Sequence, residues 1–226
     1  MHTKLETAID PHMFMASLQP CLSEGRLQEA ISLVREQWSP RQLEALLTDK
    51  EKEVRKVAAF ALAMVGDRQS IGPLSNLLHD NNTCVVEIVE HAMWSIWLRS
   101  GNCPAVKLVE RGSRHLHHAN YVCAIENFSR AILEDPNFAE AYNQRAIAYY
   151  LSERYKESIE DCRATLARMP QHFGAMAGMG HCHAHLGQWD EARRCYRLAL
   201  AIHPTLEGIQ GSLNDLETFL KTHGSA

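Results

Sequence analysis

Residues 178–204 read GMGHCHAHLGQWDEARRCYRLALAIHP, and residues 110–136, ERGSRHLHHANYVCAIENFSRAILEDP, follow the same pattern. Each stretch ends in a proline, and a third proline lies midway between them, so that consecutive prolines are 34 residues apart: Pro136, Pro170 and Pro204. A fixed period of this length is typical of helical repeat proteins. A proline cannot continue the hydrogen bonds of a helix, so each one predicts the end of a repeat.

Counting back from each proline brings small residues into line with small residues, and larger apolar residues into line with each other. The columns are Gly112, Ala146 and Gly180; Ala124, Ser158 and Ala192; Phe128, Cys162 and Tyr196; and Ala131, Thr165 and Ala199. Small residues recur where two helices must approach closely. Each period therefore predicts a pair of packed helices.

This array resembles the tetratricopeptide repeat family, in which each unit is a pair of antiparallel helices. The resemblance implies three units over residues 105–206. The middle unit departs from the family's small–aromatic–small series with Ser158, Cys162 and Thr165, so we expect its second helix to pack less tightly. Residues 207–226, with SLNDLETFL, then predict a capping helix that covers the last repeat, followed by a short tail.

The N-terminal half has a different repeat, with a spacing of 31 residues. It aligns Asp49 with Asp80 and Ala61 with Ala92, inside segments that include VRKVAAFALAMVGD and VVEIVEHAMWSIW. This pattern is similar to short HEAT-like repeats over residues 39–102. Residues 1–38 predict a helical segment of two helices, at about 11–24 and 26–37.

No alternation typical of strands appears anywhere in the sequence. The fold class that we predict is all-α, a right-handed α-solenoid of about thirteen helices. HEAT-like repeats come first, and three tetratricopeptide units and a capping helix follow. The junction near Gly101 is too short for a flexible linker, so we expect the two halves to pack as one body.

Composition limits the class of function. The chain has 226 residues, with 23 basic and 27 acidic side chains and a formal charge of −4, which argues against a nucleic-acid partner. The longest apolar run is shorter than the ~20 residues of a membrane helix, so no membrane partner is expected. Seven cysteines without CxxC spacing favour reduced thiols in a cytoplasmic protein. The oligomeric state cannot be read from the sequence.

Catalytic motifs are missing. The sequence contains no phosphate-binding glycine loop, no GxSxG and no HExxH. We therefore expect no catalytic residues, no cofactor and no enzymatic activity. One alternative stays open: His181 and His185, four residues apart, could share a metal with His117 in a metal-dependent or lyase-like enzyme that uses the His/Cys cluster. Packing or surface roles explain these histidines more simply, and no metal site is predicted.

The resemblance implies that the first helix of each unit lines a concave groove for another protein. The residues that we expect to contact a peptide or helix of this partner are Ser113, His117, Glu140, Asn143, Gln144, Ile147, His181 and His185. Family members that bind the C-terminal carboxylates of chaperones use lysines, asparagines and an arginine. This chain has Val109, Ser113, Gln144, Gly174 and Gly178 at those places, so that clamp is absent.

Apart from Glu140, the groove residues are neutral or histidines, which favours a ligand that is apolar, or one that is acidic and binds at low pH. The sequence thus predicts a non-enzymatic scaffold or adaptor. A structural subunit of a larger assembly is the remaining alternative.

Overall fold

A computed structural model describes residues 9–223, and all the regular secondary structure in that range is helical. The first eight residues of the predicted N-terminal segment and the last three of the predicted tail lie outside the described residues. The chain divides into two compact units between Trp97 and Leu98. The α-helices within residues 9–223 are α1 Pro11–Ser23, α2 Leu27–Gln37, α3 Pro40–Leu46, α4 Lys52–Val65, α5 Ile71–Asn76, α6 Thr83–Arg99, α7 Cys103–His117, α8 Tyr121–Glu134, α9 Ala139–Leu151, α10 Tyr155–Arg168, α11 Phe173–His185, α12 Trp189–Ile202 and α13 Ile209–His223.

Thirteen α-helices and no strand in the described residues confirm the predicted all-α class. Two short 3₁₀ helices, Arg68–Ser70 and Leu77–His79, flank α5. None of the helices in this range combines the length and the apolar character that crossing a membrane requires.

The helix starts of the first unit follow from local capping. The side chain of Asp10 accepts from the backbone N–H of His12 ahead of Pro11, and Ser39 forms a capping box with Gln42 ahead of Pro40. These caps explain why α1 and α3 begin at proline. The two helices expected near residues 11–24 and 26–37 are present as α1 and α2.

The aligned aspartates of the first unit occupy equivalent turns. Asp49 accepts from the N–H of Glu51, and Asp80 accepts from the N–H of Asn82, each at 2.8 Å. Arg55 also pairs with Asp80 through two hydrogen bonds of 2.7 and 3.1 Å. Burial alone would raise the pKa of Asp80, but the hydrogen bonds outweigh burial and hold this pKa below its usual value. That these helices form HEAT-like repeats stays a prediction.

The second unit consists of helix pairs at the predicted period. Helices α7 and α8, α9 and α10, and α11 and α12 pack as successive pairs. The turn within each pair places one residue in the left-handed region, and these residues are again 34 apart: Ala119, Glu153 and Gly187, with φ of 53°, 60° and 70°. The turn geometry therefore repeats even though only one of the three residues is glycine.

Helix α13 follows the last pair. Ile209, Leu213 and Leu216 are buried in the same cluster as Tyr196 and Ala199 of α12. Phe219 meets Trp189 at a ring-centroid distance of 5.0 Å. The helix expected after residue 206 is thus present, with its apolar face against α12.

Candidate functional site

A cavity of about 240 Å³ opens between α9, α10 and α11 in the second unit. Its walls are mostly apolar, and its floor comes from α10. The lining residues are Asn143, Ala146, Ile147, Tyr150, Ser158, Cys162, Gly174, Ala177, Gly178 and His181. The cavity therefore lies on the face where the sequence places the groove.

The cavity exists because the middle repeat has small residues where its neighbours have large ones. Cys162 stands in the column that holds Phe128 and Tyr196 in the other two repeats. Gly178 removes a side chain from the opposite wall, since a Cβ built there would meet only the Cys162 Sγ, at 3.9 Å. The looser packing expected of this repeat thus takes the form of an open pocket.

A buried carboxylate organises one end of the cavity. Glu140, in the first turn of α9, is fully buried. Its Oε1 accepts from the Nδ2 of Asn143 at 3.1 Å and from the Nε2 of Gln144 at 2.7 Å. Its Oε2 lies 2.9 Å from the Nε2 of His172, a residue that is also fully buried.

The contacts of His172 fix its tautomer. Its Nδ1 accepts from the backbone N–H of Ala175 at 3.1 Å and caps α11, so Nδ1 carries no proton. Nε2 must then be the protonated nitrogen, and it donates to Glu140. Every contact of the Glu140 carboxylate is therefore one in which it accepts.

Glu140 departs from the sequence-based expectation. We expected its side chain to contact a partner, but it is fully buried and cannot do so. The physical reason is that His172, 32 residues further along the chain, covers it from the turn before α11. Its role is internal, since it holds the amides of its two neighbours in the groove.

Apart from His185, which does not line the cavity, the other predicted residues divide into two sets. Asn143, Ile147 and His181 come together around the cavity. Gln144 is half-buried and joins them through Glu140. The predicted Ser113 and His117 lie on α7 and do not line the cavity, and His117 is exposed. Their contact with a partner stays a prediction.

His181 and His185 belong to a cluster of aromatic rings. The hydroxyl of Tyr196 lies 2.9 Å from His181 Nδ1, and the hydroxyl of Tyr150 lies 3.1 Å from His185 Nε2. The His185 ring stacks on Tyr155 at 4.6 Å. Burial, and then the neighbouring His185, lower the pKa of His181 below its usual value.

The two histidines do not belong to a metal site within the described residues. No group of three or more His, Cys, Asp or Glu side chains between residues 9 and 223 is arranged to hold a metal ion. Tyrosine hydroxyls occupy one ring nitrogen of each histidine. The metal-dependent alternative therefore gains no support from this geometry.

Cys162 lines the cavity, and Cys182 and Cys195 are two further buried thiols of the second unit. Cys182 donates to the Ser158 Oγ at 3.2 Å, and Ser158 donates to the carbonyl of Ala146 at 2.8 Å. Burial raises the pKa of Cys162 and of Cys182, and raises that of Cys195 to about 11. Such thiols stay protonated near neutral pH and are poor nucleophiles.

Sequence reasoning missed Tyr150, Ser158 and Cys162 as parts of the site. A signal for Cys162 was present, because a thiol breaks the aromatic column of the repeats. No sequence pattern indicated that Tyr150 lines the cavity, since its position in the groove depends on the orientation of α9 relative to α11.

Comparison with known proteins is consistent with this architecture. Residues 149–210 match the family model described as Tetratricopeptide repeat. A TPR repeat-containing protein of Rhizobium etli is 26% identical over 120 residues, which cover 53% of this chain and 59% of the relative. The small glutamine-rich tetratricopeptide repeat-containing protein of Dictyostelium discoideum is 31% identical over 113 residues, which cover 50% of this chain and 34% of the relative.

A solved structure shows the same fold. The first TPR of Spaghetti (RPAP3) bound to the HSP90 peptide SRMEEVD superposes with a TM-score of 0.51 and 22% identity, over 52% of this chain and 94% of that one. The chain spans only part of the two curated relatives named above, about three fifths of the Rhizobium etli protein and about a third of the Dictyostelium discoideum protein. The period and the helix pairs of the second unit agree with these matches, in which residues 149–210 are similar to the tetratricopeptide repeat family.

Proposed function

We propose that this protein is a non-enzymatic scaffold or adaptor that binds a segment of another protein in the groove of its second unit. The observation that carries the proposal is the preformed cavity between α9 and α11, walled by apolar side chains and open to solvent. Concave, mostly apolar sites with a few placed polar groups are typical of binding sites. Stacked helical repeats present such surfaces without having to rearrange.

Structural neighbours support the class of partner. The Spaghetti domain holds a peptide of HSP90, SRMEEVD, which is a short segment with three acidic residues. The present chain has no lysine, arginine or asparagine at the clamp positions, where Val109, Ser113, Gln144, Gly174 and Gly178 stand. We therefore propose the same kind of recognition with a different ligand.

The chemistry beside the cavity supports binding rather than catalysis. The nearest thiols are buried and protonated near neutral pH, as described above. Seven cysteines without paired spacing agree with a cytoplasmic location, which we include in the proposal together with HEAT-like repeats over residues 39–102.

The test fills the cavity without disturbing the fold. Gly178→Leu places a side chain in open space, because its Cβ would have only the Cys162 Sγ within 4 Å, at 3.9 Å. Gly211→Leu is the matched control, since this exposed glycine on α13 has nothing within 4 Å. Immobilised protein is used to select peptides from a phage-displayed library of random nonapeptides.

We expect the selected peptides to bind the wild type and Gly211→Leu equally, and to lose at least about tenfold in affinity with Gly178→Leu, since an apolar side chain in a pocket contributes roughly 1.5 kcal/mol or more. Circular dichroism checks that both variants melt like the wild type. Equal binding to all three proteins would show that the cavity is not the binding site.

A further inference from the structure

The network around Glu140 leads to a more specific inference, which rests on the proposed function. We propose that this groove recognises hydrogen-bond donors, and that its ligand is an extended, uncharged segment of a partner that places an aliphatic side chain in the cavity and donates a backbone N–H to the Oδ1 of Asn143. Glu140 acts as a positioning residue for this acceptor.

The first step is that Glu140 engages the donors of the groove. Amide side chains at the start of α9 could present either an N–H or a C=O to a ligand. Here the carboxylate draws the Nδ2 of Asn143 and the Nε2 of Gln144 to its Oε1. A carboxylate only accepts, so this contact fixes which end of the Asn143 amide faces it.

The second step concerns the other end of the Asn143 amide. Asn143 is only 3% exposed, and it lines the cavity. Its Oδ1 has no hydrogen-bond partner among residues 9–223, yet it is not among the fully buried unpartnered atoms of that range. The accessible surface of this oxygen therefore belongs to the cavity. A ligand that fills the cavity excludes water from this acceptor, so binding loses free energy unless the ligand supplies a donor.

The third step selects an extended segment over a helix. Within a helix the backbone N–H groups beyond the first turn already donate to carbonyls of the same helix. An extended segment has free N–H groups along its length, and alternate side chains point to opposite sides. One side chain can therefore enter the cavity while a neighbouring N–H reaches Asn143.

The fourth step concerns charge and size. No lysine, arginine, aspartate or glutamate lines the cavity, so a charged side chain would lose its hydration without gaining a partner. The titratable groups that face the space are Tyr150, Cys162 and His181. The lowered pKa of His181 favours its neutral form at pH 7. The volume, about 240 Å³, exceeds the roughly 150 Å³ of an apolar cavity that holds benzene, so a leucine-sized group fits.

The experiment uses a peptide from the phage selection on the full chain. Each amide of this peptide is replaced in turn by an ester, which removes one N–H with little change in shape. We expect one position at which the ester weakens binding about fivefold to tenfold, as the loss of one hydrogen bond predicts. In Asn143→Leu this sensitivity should fall below twofold, because the acceptor has gone.

Gln144→Leu is the matched control. It removes the other amide that donates to Glu140 but leaves Asn143 in place, so the ester should still weaken binding about fivefold to tenfold. Glu140→Gln tests the positioning role. In Glu140→Gln the ester should weaken binding less than it does in the wild type, while Gly178→Leu should still weaken binding. A loss of stability alone would not separate these two effects on affinity.

Three outcomes would overturn the inference: selected peptides that depend on an acidic residue or a free C-terminal carboxylate, an ester scan with no sensitive position, or a sensitive position that remains in Asn143→Leu. The ester scan on the wild type decides the matter even if Asn143→Leu does not fold. Failure of the proposed function gives a different result from failure of this inference. If the proposed function is wrong, the peptides will bind Gly178→Leu as well as they bind the wild type.

Discussion

The ring of Tyr196 occupies the space into which any side chain on residue 180 would extend. A Cβ built on Gly180 would lie 2.6 Å from the Tyr196 Cε1, closer than carbon atoms approach in folded proteins. The first repeat has the same relationship, where a Cβ on Gly112 would lie 2.4 Å from the Cε1 of Phe128. The two helices of these repeats therefore pack with no free volume at the crossing.

Gly180→Leu should accordingly destabilise the second unit. Overpacking typically costs about 1–3 kcal/mol and sometimes more. Gly178→Ala, two residues away on the same helix, is the control, because its Cβ would make only an ordinary contact of 3.9 Å. It should keep or raise the melting temperature, since alanine favours helix by about 1 kcal/mol over glycine. Equal melting temperatures for Gly180→Leu and the wild type would refute the packing described here.

The sequence predicted that Gly112 and Gly180 lie where two helices approach closely, because small residues recur there with the period. Column counting aligned Gly112 with Gly180 and Phe128 with Tyr196, and the structure adds that each glycine packs against the aromatic residue of its own repeat. The turns were less accessible to prediction. Ala119 and Glu153 adopt the left-handed conformation that glycine favours, and neither residue type indicates it. Packing of the helices on either side imposes that geometry.

The lining of the cavity was predicted in part, whereas contact with a partner stays a prediction. Asn143, Ile147 and His181 were placed in one groove by the repeat register, and they line one cavity. The register could not show that Glu140 is covered, because the covering residue, His172, belongs to the turn of the next repeat. A repeat pattern specifies which face a residue occupies, whereas burial on that face depends on the particular side chains of the neighbouring unit.

A second prediction tests why the cavity exists. Cys162→Phe restores the aromatic residue of the other repeats, but Ala146 has a Cβ where those repeats have glycine. The single variant should lose about 1–3 kcal/mol by overpacking. Adding Ala146→Gly should recover most of that loss, so the two substitutions will be non-additive in urea unfolding.

Ala146→Gly alone is the control for the cavity test. It should cost about 1 kcal/mol through helix propensity. If the changes in the free energy of unfolding for Cys162→Phe and Ala146→Gly add up to the change in the double variant, Ala146 and Cys162 do not share space in the way that Gly180 and Tyr196 do.

A third prediction concerns α13. Ile209, Leu213 and Leu216 are each buried, and each contributes on the order of 1.5–3 kcal/mol through apolar burial. A chain that ends at Gly208 should bind a hydrophobic dye, aggregate at lower temperature and melt less cooperatively. Leu213→Ala should cost about 2 kcal/mol or more, whereas the exposed Asn214→Ala should have little effect. Unchanged solubility and melting after truncation would show that α13 does not act as a cap.

A fourth prediction concerns the thiols. Cys84 and Cys103 are exposed, whereas Cys162, Cys182 and Cys195 are buried with raised pKa values. Brief treatment with iodoacetamide at pH 7.5 should alkylate the exposed pair, and the buried three should react only after denaturation. Peptide mapping by mass spectrometry measures each site. Rapid alkylation of Cys162 in the folded protein would contradict the burial and imply a thiol that is available for chemistry.

The last prediction concerns pH. The pKa of His181 is lowered in the folded protein, chiefly by burial and next by His185, relative to about 6.5 in the unfolded chain. At any pH between the folded and the unfolded pKa of His181, the unfolded state binds more protons than the folded state does. The stability that His181 contributes is therefore fully present above about pH 6.5. It declines as the pH falls from there through the folded pKa.

His181→Asn should therefore flatten the decline in the free energy of unfolding below about pH 6.5, because asparagine does not titrate and its Oδ1 can still meet the Tyr196 hydroxyl. Proton NMR titration of the wild type gives the His181 pKa directly, and we expect a value below 6.5 that moves back towards 6.5 in His185→Asn. A His181 pKa at or above 6.5, or identical pH profiles of stability for His181→Asn and the wild type, would show that burial does not control this residue.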